Sequence, residues 1–303
     1  MKTKVIVLAA ALGLGLLATP AHAAPAKTLV IIDTGINTNL DWVKNSLVEE
    51  ACFIQYGKCP NGQASMTGPG AASLNPSLVK DRSLSHGTQM ASVAVQVNPS
   101  VKIVMVRIVG MSDKGYANSY NTQGVAVAMD WIIANAARLN VGAVSIALGR
   151  TYKEAACPVE QKLQSQIESL AASNIPTVIA AGNNSNQTKI NYPACIPAAI
   201  AVGATDTPYT VKQVQGTVYP VMLISNSGAD LDIYALGRYT TSDINGVRSV
   251  SLGTSNATVA VASKLAQMLS EGNTLSDTMV KVNGSLQKAY RSLTDVVTKY
   301  LQL

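Results

Sequence analysis

Four residue types that suit acyl-transfer chemistry follow one another along the chain. They are an aspartate at the end of an apolar run, Asp33, then His86, Asn183 and Ser255. A serine nucleophile needs an imidazole as its base, and a carboxylate holds that base in the correct tautomer. An amide donor can stabilise the oxyanion that forms when the serine attacks. The set therefore predicts a hydrolytic site of the Ser-His-Asp kind.

Each of these residues also has a structural interpretation. Asp33 can cap a turn, His86 can be a satisfied polar residue, and Ser255 can be the N-cap of a helix. The Asp33-Thr34-Gly35 tripeptide also matches aspartic proteases, which need two carboxylates that share a proton. The chain has no second Asp-Thr-Gly or Asp-Ser-Gly. That fact and the alternating α/β pattern argue against an aspartic protease.

The elements that must position these residues alternate between apolar strands and helices. Such nearly continuous apolar strands are typical of a parallel sheet that is covered on both faces. We therefore predict one doubly wound α/β domain, with loops over 52–85 that can include a hairpin. Ligands in this fold bind beyond the carboxyl ends of the strands, where Asp33 and Asn183 lie. The predicted strands are 27–33, 101–109, 141–148, 177–181 and 198–203, and the predicted helices are 123–139, 161–172, 255–269 and a C-terminal helix over 275–303.

The first 23 residues have the features of a secretory signal peptide. A basic tip precedes the apolar run 5–18, and Ala21-His22-Ala23 forms a cleavage site. The apolar run is shorter than the roughly 20 residues that a membrane-spanning helix needs. We expect an exported protein, secreted or periplasmic and not membrane-spanning, with its domain over 24–303. Formal net charge is +6 and like charges do not cluster, which argues against a nucleic-acid partner.

Four cysteines follow the predicted cleavage site: Cys52, Cys59, Cys157 and Cys195. An even number in an exported chain predicts two disulfides. Of the three possible connectivities, proximity along the chain favours Cys52–Cys59 and Cys157–Cys195. The spacings do not suit zinc, and only one histidine follows the cleavage site. No metal site is predicted.

The motifs that contain the four candidate residues resemble, in their order, those of subtilisin-like serine proteases (subtilases, peptidase S8). They are IIDTGI at 31–36, SHGTQMAS at 85–92, IAAGNN at 179–184 and LGTSNATVAVA at 252–262. The resemblance extends from about residue 28 to about residue 270. It implies a secreted serine endopeptidase in which Asp33 orients His86, His86 deprotonates Ser255, and Asn183 stabilises the oxyanion.

The resemblance also implies where a polypeptide substrate binds. The substrate would pair as a strand along 147–149 and, on its other side, along 115–117, with a P1 pocket between 147–149 and 180–182. Asn191 falls at the floor of that pocket, where we expect it to shorten the pocket and make its base polar. The substrate-binding residues implied in this way are Ala147, Leu148, Gly149, Gly115, Ala180, Ala181, Gly182 and Asn191.

Some expectations concern partners and alternatives. Cleavage after Ala23 leaves no room for the large propeptide that is common in the resembled family, so we expect a folding or inhibitory partner in trans. No cofactor is predicted; many relatives use calcium, but no acidic loop indicates a site. A catalytically silent, secreted protein that binds peptides or a partner is the alternative from another class. Peptide ligation through the same acyl-enzyme also stays open.

Overall fold

The computed structural model describes residues 26–211, 216–290 and 296–303. The predicted signal peptide, 1–23, lies outside the described residues. The strands are β1 (Thr28–Asp33), β2 (Leu47–Phe53), β3 (Ser65–Thr67), β4 (Lys102–Arg107), β5 (Val141–Ile146), β6 (Thr177–Ala180), β7 (Ile200–Thr205), β8 (Tyr209–Val211), β9 (Gly216–Pro220), β10 (Ile233–Leu236), β11 (Arg238–Ser242), β12 (Arg248–Leu252), β13 (Gln287–Tyr290) and β14 (Val296–Tyr300). The α-helices are α1 (Asp41–Ser46), α2 (His86–Val97), α3 (Thr122–Asn135), α4 (Gln161–Ala172), α5 (Thr254–Ser270) and α6 (Leu275–Ser285).

Twelve of the strands form one sheet in the order β3-β2-β4-β1-β5-β6-β7-β10-β14-β13-β9-β8. From β2 to β14 every neighbouring pair in this order is parallel. Antiparallel pairs occur only towards the two edges, where β3 joins β2, β13 joins β14 and β8 joins β9. The mainly parallel sheet that the apolar runs predict is therefore confirmed.

The central strands are buried on both faces, and their side chains alternate between two cores. On β1, Leu29 and Ile31 lie in the core that includes residues of α2 and α5. Val30 and Ile32 lie in the other core, with residues of α3 and α4. Alternation follows from the pleat, which points successive side chains to opposite faces of a strand. Helices cover both faces, which confirms the doubly wound α/β class.

The prediction of one C-terminal helix over 275–303 is correct up to Ser285 and wrong after it. Helix α6 ends at Ser285, and strands β13 and β14 follow. Pairing with β10 accounts for this difference. Tyr234 O on β10 accepts a hydrogen bond from Leu301 N at 2.8 Å. The buried Tyr300 also stacks on Tyr219 with ring centroids 3.9 Å apart. Tertiary contacts therefore decide the conformation of a segment whose residue pattern is compatible with a helix.

Both disulfides favoured by the sequence analysis are present. Cys52 is bonded to Cys59, and Cys157 to Cys195. The first lies in the hairpin of β2 and β3, where Cys52 pairs with Met66. This hairpin occupies part of the region that was predicted to form loops.

A separate two-stranded ribbon of β11 and β12 leads directly into α5. Within the described ranges, no helix is long and apolar enough to cross a membrane.

Candidate active site

Asp33 and His86 form the centre of the candidate site. Asp33 ends β1 and is completely buried. His86 Nδ1 lies 2.8 Å from Asp33 Oδ1 and 2.9 Å from Oδ2. Because a carboxylate only accepts hydrogen bonds, Nδ1 carries the proton and donates it. Nε2 of the neutral imidazole is then the nitrogen that can accept a proton.

The start of α2 packs closely against the turn after β1, and this contact brings the imidazole to Asp33. Gly87 N donates to Thr34 Oγ1 at 2.9 Å, and that hydroxyl donates to Leu84 O at 3.1 Å. A Cβ on Gly87 would lie only 2.2 Å from Gly35 O. Glycine at position 87 is therefore a condition for the close approach of the helix to the strand.

Asp33 changes the protonation behaviour of His86. Burial by itself lowers the pKa of an imidazole, because it disfavours the charged form. The negative charge of Asp33 and its hydrogen bond act in the opposite direction and outweigh burial, so the pKa of His86 is raised above 6.5. The site therefore stabilises an imidazolium, the state that a general base reaches after it takes a proton.

Ser255 lies in the first turn of α5, next to the carboxyl end of β5. Its Oγ donates to Ala147 O at 3.0 Å. Strand β5 pairs with β1 up to Ile32 and Ile146, so Ala147 follows β5 where Asp33 ends β1. The serine and the Asp33–His86 pair thus belong to neighbouring strand ends. No hydrogen bond joins Ser255 to His86 among the described residues; the hydroxyl has Ala147 O as its partner instead.

Asn183 follows β6 and lies against the N-terminus of α5. Its Oδ1 accepts from Thr254 N at 2.9 Å and from Thr254 Oγ1 at 3.0 Å. These two bonds determine the orientation of the amide. A Cβ on Gly253 would lie 3.1 Å from Asn183 Nδ2, so this donor lies beside the residues that precede Ser255. Asn183 Nδ2 has no hydrogen-bond partner in the described part of the chain and is available to an oxyanion.

The N-terminus of α5 adds a second kind of donor at the same place. The first N–H groups of an α-helix have no partner inside the helix, and the helix dipole makes this end positive. The backbone N–H of Ser255 is one of these groups, since α5 begins at Thr254. An anion that forms next to Ser255 would therefore meet both this N–H and the amide of Asn183.

A groove of about 610 Å³ begins at His86 and runs along the segment after β5. Tyr120 OH donates to Gly149 O at 2.9 Å across it. The backbone N–H and C=O of Leu148 have no hydrogen-bond partner among the described residues, so an extended chain can pair there. The groove is lined by Thr34, Ser83, His86, Val109, Ala117, Asn118, Ser119, Tyr120, Asn121, Thr122, Val125, Leu148, Gly149, Arg150 and Pro193.

Gly115 is not one of the groove-lining residues, and its backbone is already hydrogen-bonded inside the chain. Its N–H donates to Ser112 O at 2.9 Å, and its C=O accepts from Lys80 N at 2.9 Å. The sequence analysis predicted that a substrate strand also pairs along 115–117. At Gly115 the backbone N–H and C=O are already hydrogen-bonded within the chain, so they are not free for this pairing. Of this segment, Ala117 lines the groove.

Asn191 lies between the two segments that would form a P1 pocket. A Cβ on Gly182 would be 2.4 Å from Asn191 Nδ2, and a Cβ on Gly149 would be 3.5 Å from Asn191 Cβ. Asn191 Nδ2 donates to Asn184 Oδ1 at 3.0 Å, and its Oδ1 accepts from Asn226 Nδ2 at 3.1 Å. An amide side chain thus occupies the space next to both glycines.

Asn226 was not among the candidate residues. It is 1% exposed, and its Oδ1 accepts from Asn184 N at 2.9 Å and Asn186 N at 3.0 Å. Its Nδ2 also donates to Ala181 O at 3.1 Å. Asn226 therefore connects the loop after β6 to Asn191. The sequence shows Asn226 within residues 224–228, ISNSG, but does not show its partners. These partners are 35 to 45 residues away along the chain.

No group of three or more His, Cys, Asp or Glu residues that could hold a metal ion occurs in residues 26–211, 216–290 and 296–303. Among the described residues, Asp33 is the charged side chain that is hydrogen-bonded to His86. The described site brings together an imidazole, a carboxylate, a hydroxyl and amide donors.

Comparison with known proteins identifies the family. The chain matches the model of the Subtilase family over residues 26–289, and it belongs to that family. Subtilisin BL of Lederbergia lenta is 27% identical over 263 residues, which cover 84% of this chain and 80% of that protein. Alkaline serine exoprotease A of Vibrio alginolyticus is 30% identical over 230 residues, or 69% of this chain and 38% of that protein.

A solved structure described as a cold adapted subtilisin-like serine proteinase superposes with a TM-score of 0.60 at 25% identity. The match covers 86% of this chain and 81% of that one. The fold class predicted from the sequence is therefore also found in a relative. The chain spans about two fifths, 38% to 41%, of the length of the first curated relatives.

Proposed function

We propose that this protein is an exported serine endopeptidase that hydrolyses polypeptides through an acyl-enzyme on Ser255. The hydrogen bond from His86 Nδ1 to the buried Asp33 carries the proposal. Family membership and the orientation of Asn183 beside the start of α5 support it.

In the first step, Ser255 Oγ leaves Ala147 O and turns towards His86 Nε2. Rotation of a serine side chain between staggered positions has a small energetic cost. Nε2 takes the hydroxyl proton while Oγ attacks the substrate carbonyl, and Asp33 stabilises the imidazolium that results. Asn183 Nδ2 and the N–H of Ser255 donate to the oxyanion.

In the following steps, His86 gives the proton to the leaving amine and the peptide bond breaks. The acyl group stays bonded to Ser255 Oγ. A water molecule then loses a proton to His86 and attacks the ester, and His86 returns that proton to Oγ as the acid product leaves. Every proton in the cycle passes through Nε2, which is why a fixed Nδ1 matters.

Labelling with a fluorophosphonate tests the nucleophile directly. We expect the folded protein to become labelled and to cleave peptides, and we expect Ser255→Ala to do neither. Ser263→Ala is a matched control, since Ser263 lies on the same helix with its hydroxyl bonded to Ala94 O. If the wild-type protein is neither labelled nor active while it still binds peptides, the catalytically silent binding protein is the correct interpretation.

The P1 preference follows from Asn191. Its amide lies next to Gly149 and Gly182, so we expect the pocket to accept short or polar P1 side chains rather than large apolar ones. Replacement Asn191→Gly removes the amide, and the preference should shift towards large apolar P1 residues by about tenfold in kcat/KM, the effect of roughly 1.4 kcal/mol.

A library of peptides that differ only at P1 measures this shift. Asn245→Gly is the control, because Asn245 is an exposed asparagine in the turn between β11 and β12. An identical P1 profile for the wild type and Asn191→Gly would contradict the assignment of Asn191 to the pocket.

A further inference from the structure

The loop that carries Asn183 lies on the surface, where packing contributes little to its conformation. Residues 183–188 are all exposed and contain no helix or strand. Ser185 has a φ of 57°, in the left-handed region that residues with a side chain rarely adopt. An oxyanion donor has to be in place before charge develops, because its preorganisation is what lowers the barrier. The loop therefore needs a rigid support from elsewhere in the molecule.

A buried segment next to this loop provides such a support. Ser225 Oγ accepts a hydrogen bond from Ala204 N, on β7, at 3.0 Å. Ser227 Oγ lies 2.6 Å from the hydroxyl of Tyr234, on β10. Between these two serines, Asn226 is 1% exposed. Residues bonded to the central sheet thus fix Asn226 on both sides.

Asn226 in turn holds both neighbours of Asn183. Its backbone N–H donates to Gly182 O at 2.8 Å, and its Oδ1 accepts from Asn184 N at 2.9 Å. The same Oδ1 accepts from Asn186 N at 3.0 Å. The main chain is therefore fixed immediately before and after Asn183, whereas the start of α5 fixes its side-chain amide.

The other half of the Asn226 amide contacts Asn191. Asn226 Nδ2 donates to Asn191 Oδ1 at 3.1 Å and to Ala181 O at 3.1 Å. A Cβ on Gly182 would lie 2.6 Å from Asn226 Nδ2 and 2.4 Å from Asn191 Nδ2, so both amides pack against the same glycine. Because Asn191 Oδ1 faces this donor, Asn191 Nδ2 is directed to Asn184 Oδ1, at 3.0 Å. Asn226 thus determines which way the amide of Asn191 is turned.

We infer that Asn226 is a positioning residue that holds the oxyanion donor Asn183 and the P1-pocket amide Asn191 in one arrangement. It acts on each through a different atom: Oδ1 accepts from the loop of Asn183, and Nδ2 donates to Asn191. The inference rests on the proposed peptidase function. Replacement of Asn226 should therefore change both kcat and the preference at P1, although its side chain is buried.

A double-mutant cycle with Asn183 tests the first role. Asn226→Ala should lower kcat about tenfold with little change in KM, because an oxyanion donor acts in the transition state. When Asn183→Ala is already present, the same replacement should lower kcat by about twofold at most, because the donor that it positions is absent. Concentrations of active enzyme come from fluorophosphonate titration. A tenfold loss in both backgrounds would overturn the positioning of Asn183.

The variant Asn226→Asp separates the two roles. A carboxylate still accepts from the N–H groups of the loop, but it cannot donate to Asn191 Oδ1. We expect kcat to stay within about threefold of the wild type, since Asn183 remains in place. The P1 profile should move in the same direction as that of Asn191→Gly, and it should not move further when the two replacements are combined. An unchanged P1 profile, or an additional shift in the combined variant, would overturn the link to Asn191.

Asn98→Ala is the matched control. Asn98 is also a buried asparagine, and its Oδ1 accepts from Ser100 N at 3.2 Å and from Ser100 Oγ at 2.8 Å. It follows the last residue of α2, at the opposite end of that helix from His86, so kcat and the P1 profile should not change.

Urea unfolding shows how far each variant is destabilised. Failure of both Asn226 variants to fold would assign Asn226 to the overall stability of the protein and would likewise overturn the inference. If the wild type is neither labelled nor active on any peptide, the peptidase proposal itself fails.

Discussion

At the scale of single residues, the Asp33–His86 bond has two consequences that can be measured together. It holds the proton on Nδ1, and it raises the pKa of His86 above 6.5 against the effect of burial. In the proposed mechanism, only neutral His86 can accept the proton of Ser255. Activity is therefore lost when His86 is protonated and rises as pH increases through a value above 6.5.

We expect Asp33→Asn to lower kcat by roughly four orders of magnitude, because an amide can hold the wrong tautomer and cannot stabilise an imidazolium. Its residual activity should begin at a lower pH than that of the wild type. The sign follows from removing the charge and hydrogen bond that raise the pKa, which leaves burial to lower it. Profiles of kcat/KM against pH measure both effects.

Asp113→Asn is the control for this prediction, because Asp113 is an exposed carboxylate in the loop after β4. It should have the kcat and the pH profile of the wild type. An unchanged ascending limb in Asp33→Asn would contradict the coupling of His86 to Asp33.

At the scale of elements, the site depends on how closely α2 approaches β1. The contact is between Gly87 and the backbone of Gly35, with 2.2 Å between a hypothetical Cβ and Gly35 O. Backbone atoms cannot move aside as a flexible side chain can. Any side chain at position 87 must therefore push the first turn of α2, and His86 with it, away from Asp33.

We expect Gly87→Ala to lower the free energy of unfolding by about 1–3 kcal/mol, the usual cost of overpacking. It should also reduce kcat, because the imidazole moves. Gly124→Ala is the matched control in the first turn of α3, where a Cβ would meet only Phe53 O at 4.0 Å. That substitution should be neutral or stabilising by up to about 1 kcal/mol, since alanine favours helix.

Unfolding in urea and kcat per labelled active site distinguish the two glycines. If Gly87→Ala were as stable and as active as Gly124→Ala, the close contact between α2 and β1 would not be what positions His86.

At the scale of the whole molecule, the two disulfides close loops of very different length. Cys52 and Cys59 are separated by 7 residues, and Cys157 and Cys195 by 38. A cross-link restricts the unfolded chain more when it closes a longer loop, and this chain-entropy argument gives about 2 kcal/mol for the short loop and about 4 kcal/mol for the long one.

We therefore expect the paired replacement of Cys157 and Cys195 by serine to destabilise the protein more than the same replacement of Cys52 and Cys59. Urea unfolding compares the two stabilities. The opposite order of stabilities would contradict the entropic argument.

Much of this molecule is predictable from local patterns. Runs such as Thr28–Asp33 are apolar without interruption, and only a strand buried on both faces suits such a run. Residues that can act on a carbonyl follow these runs, and parallel strands bring their carboxyl ends to one edge. Strands β11 and β12 were not predicted, although they pair with each other across a short turn. The strands after α6 were not predicted because β14 pairs with β10 and β13 with β9, which are distant in sequence.

The sequence by itself determined the fold class, the types of the candidate catalytic residues and the strand ends at which they lie. Only the tertiary structure decided that Ser255 Oγ donates to Ala147, 108 residues away, and that Asn191 packs against Gly182 and is bonded to Asn226. It also decided that residues 287–290 and 296–300 are strands rather than helix. Periodicity and residue type are local properties, whereas a hydrogen bond or a filled pocket depends on which distant segments pack together.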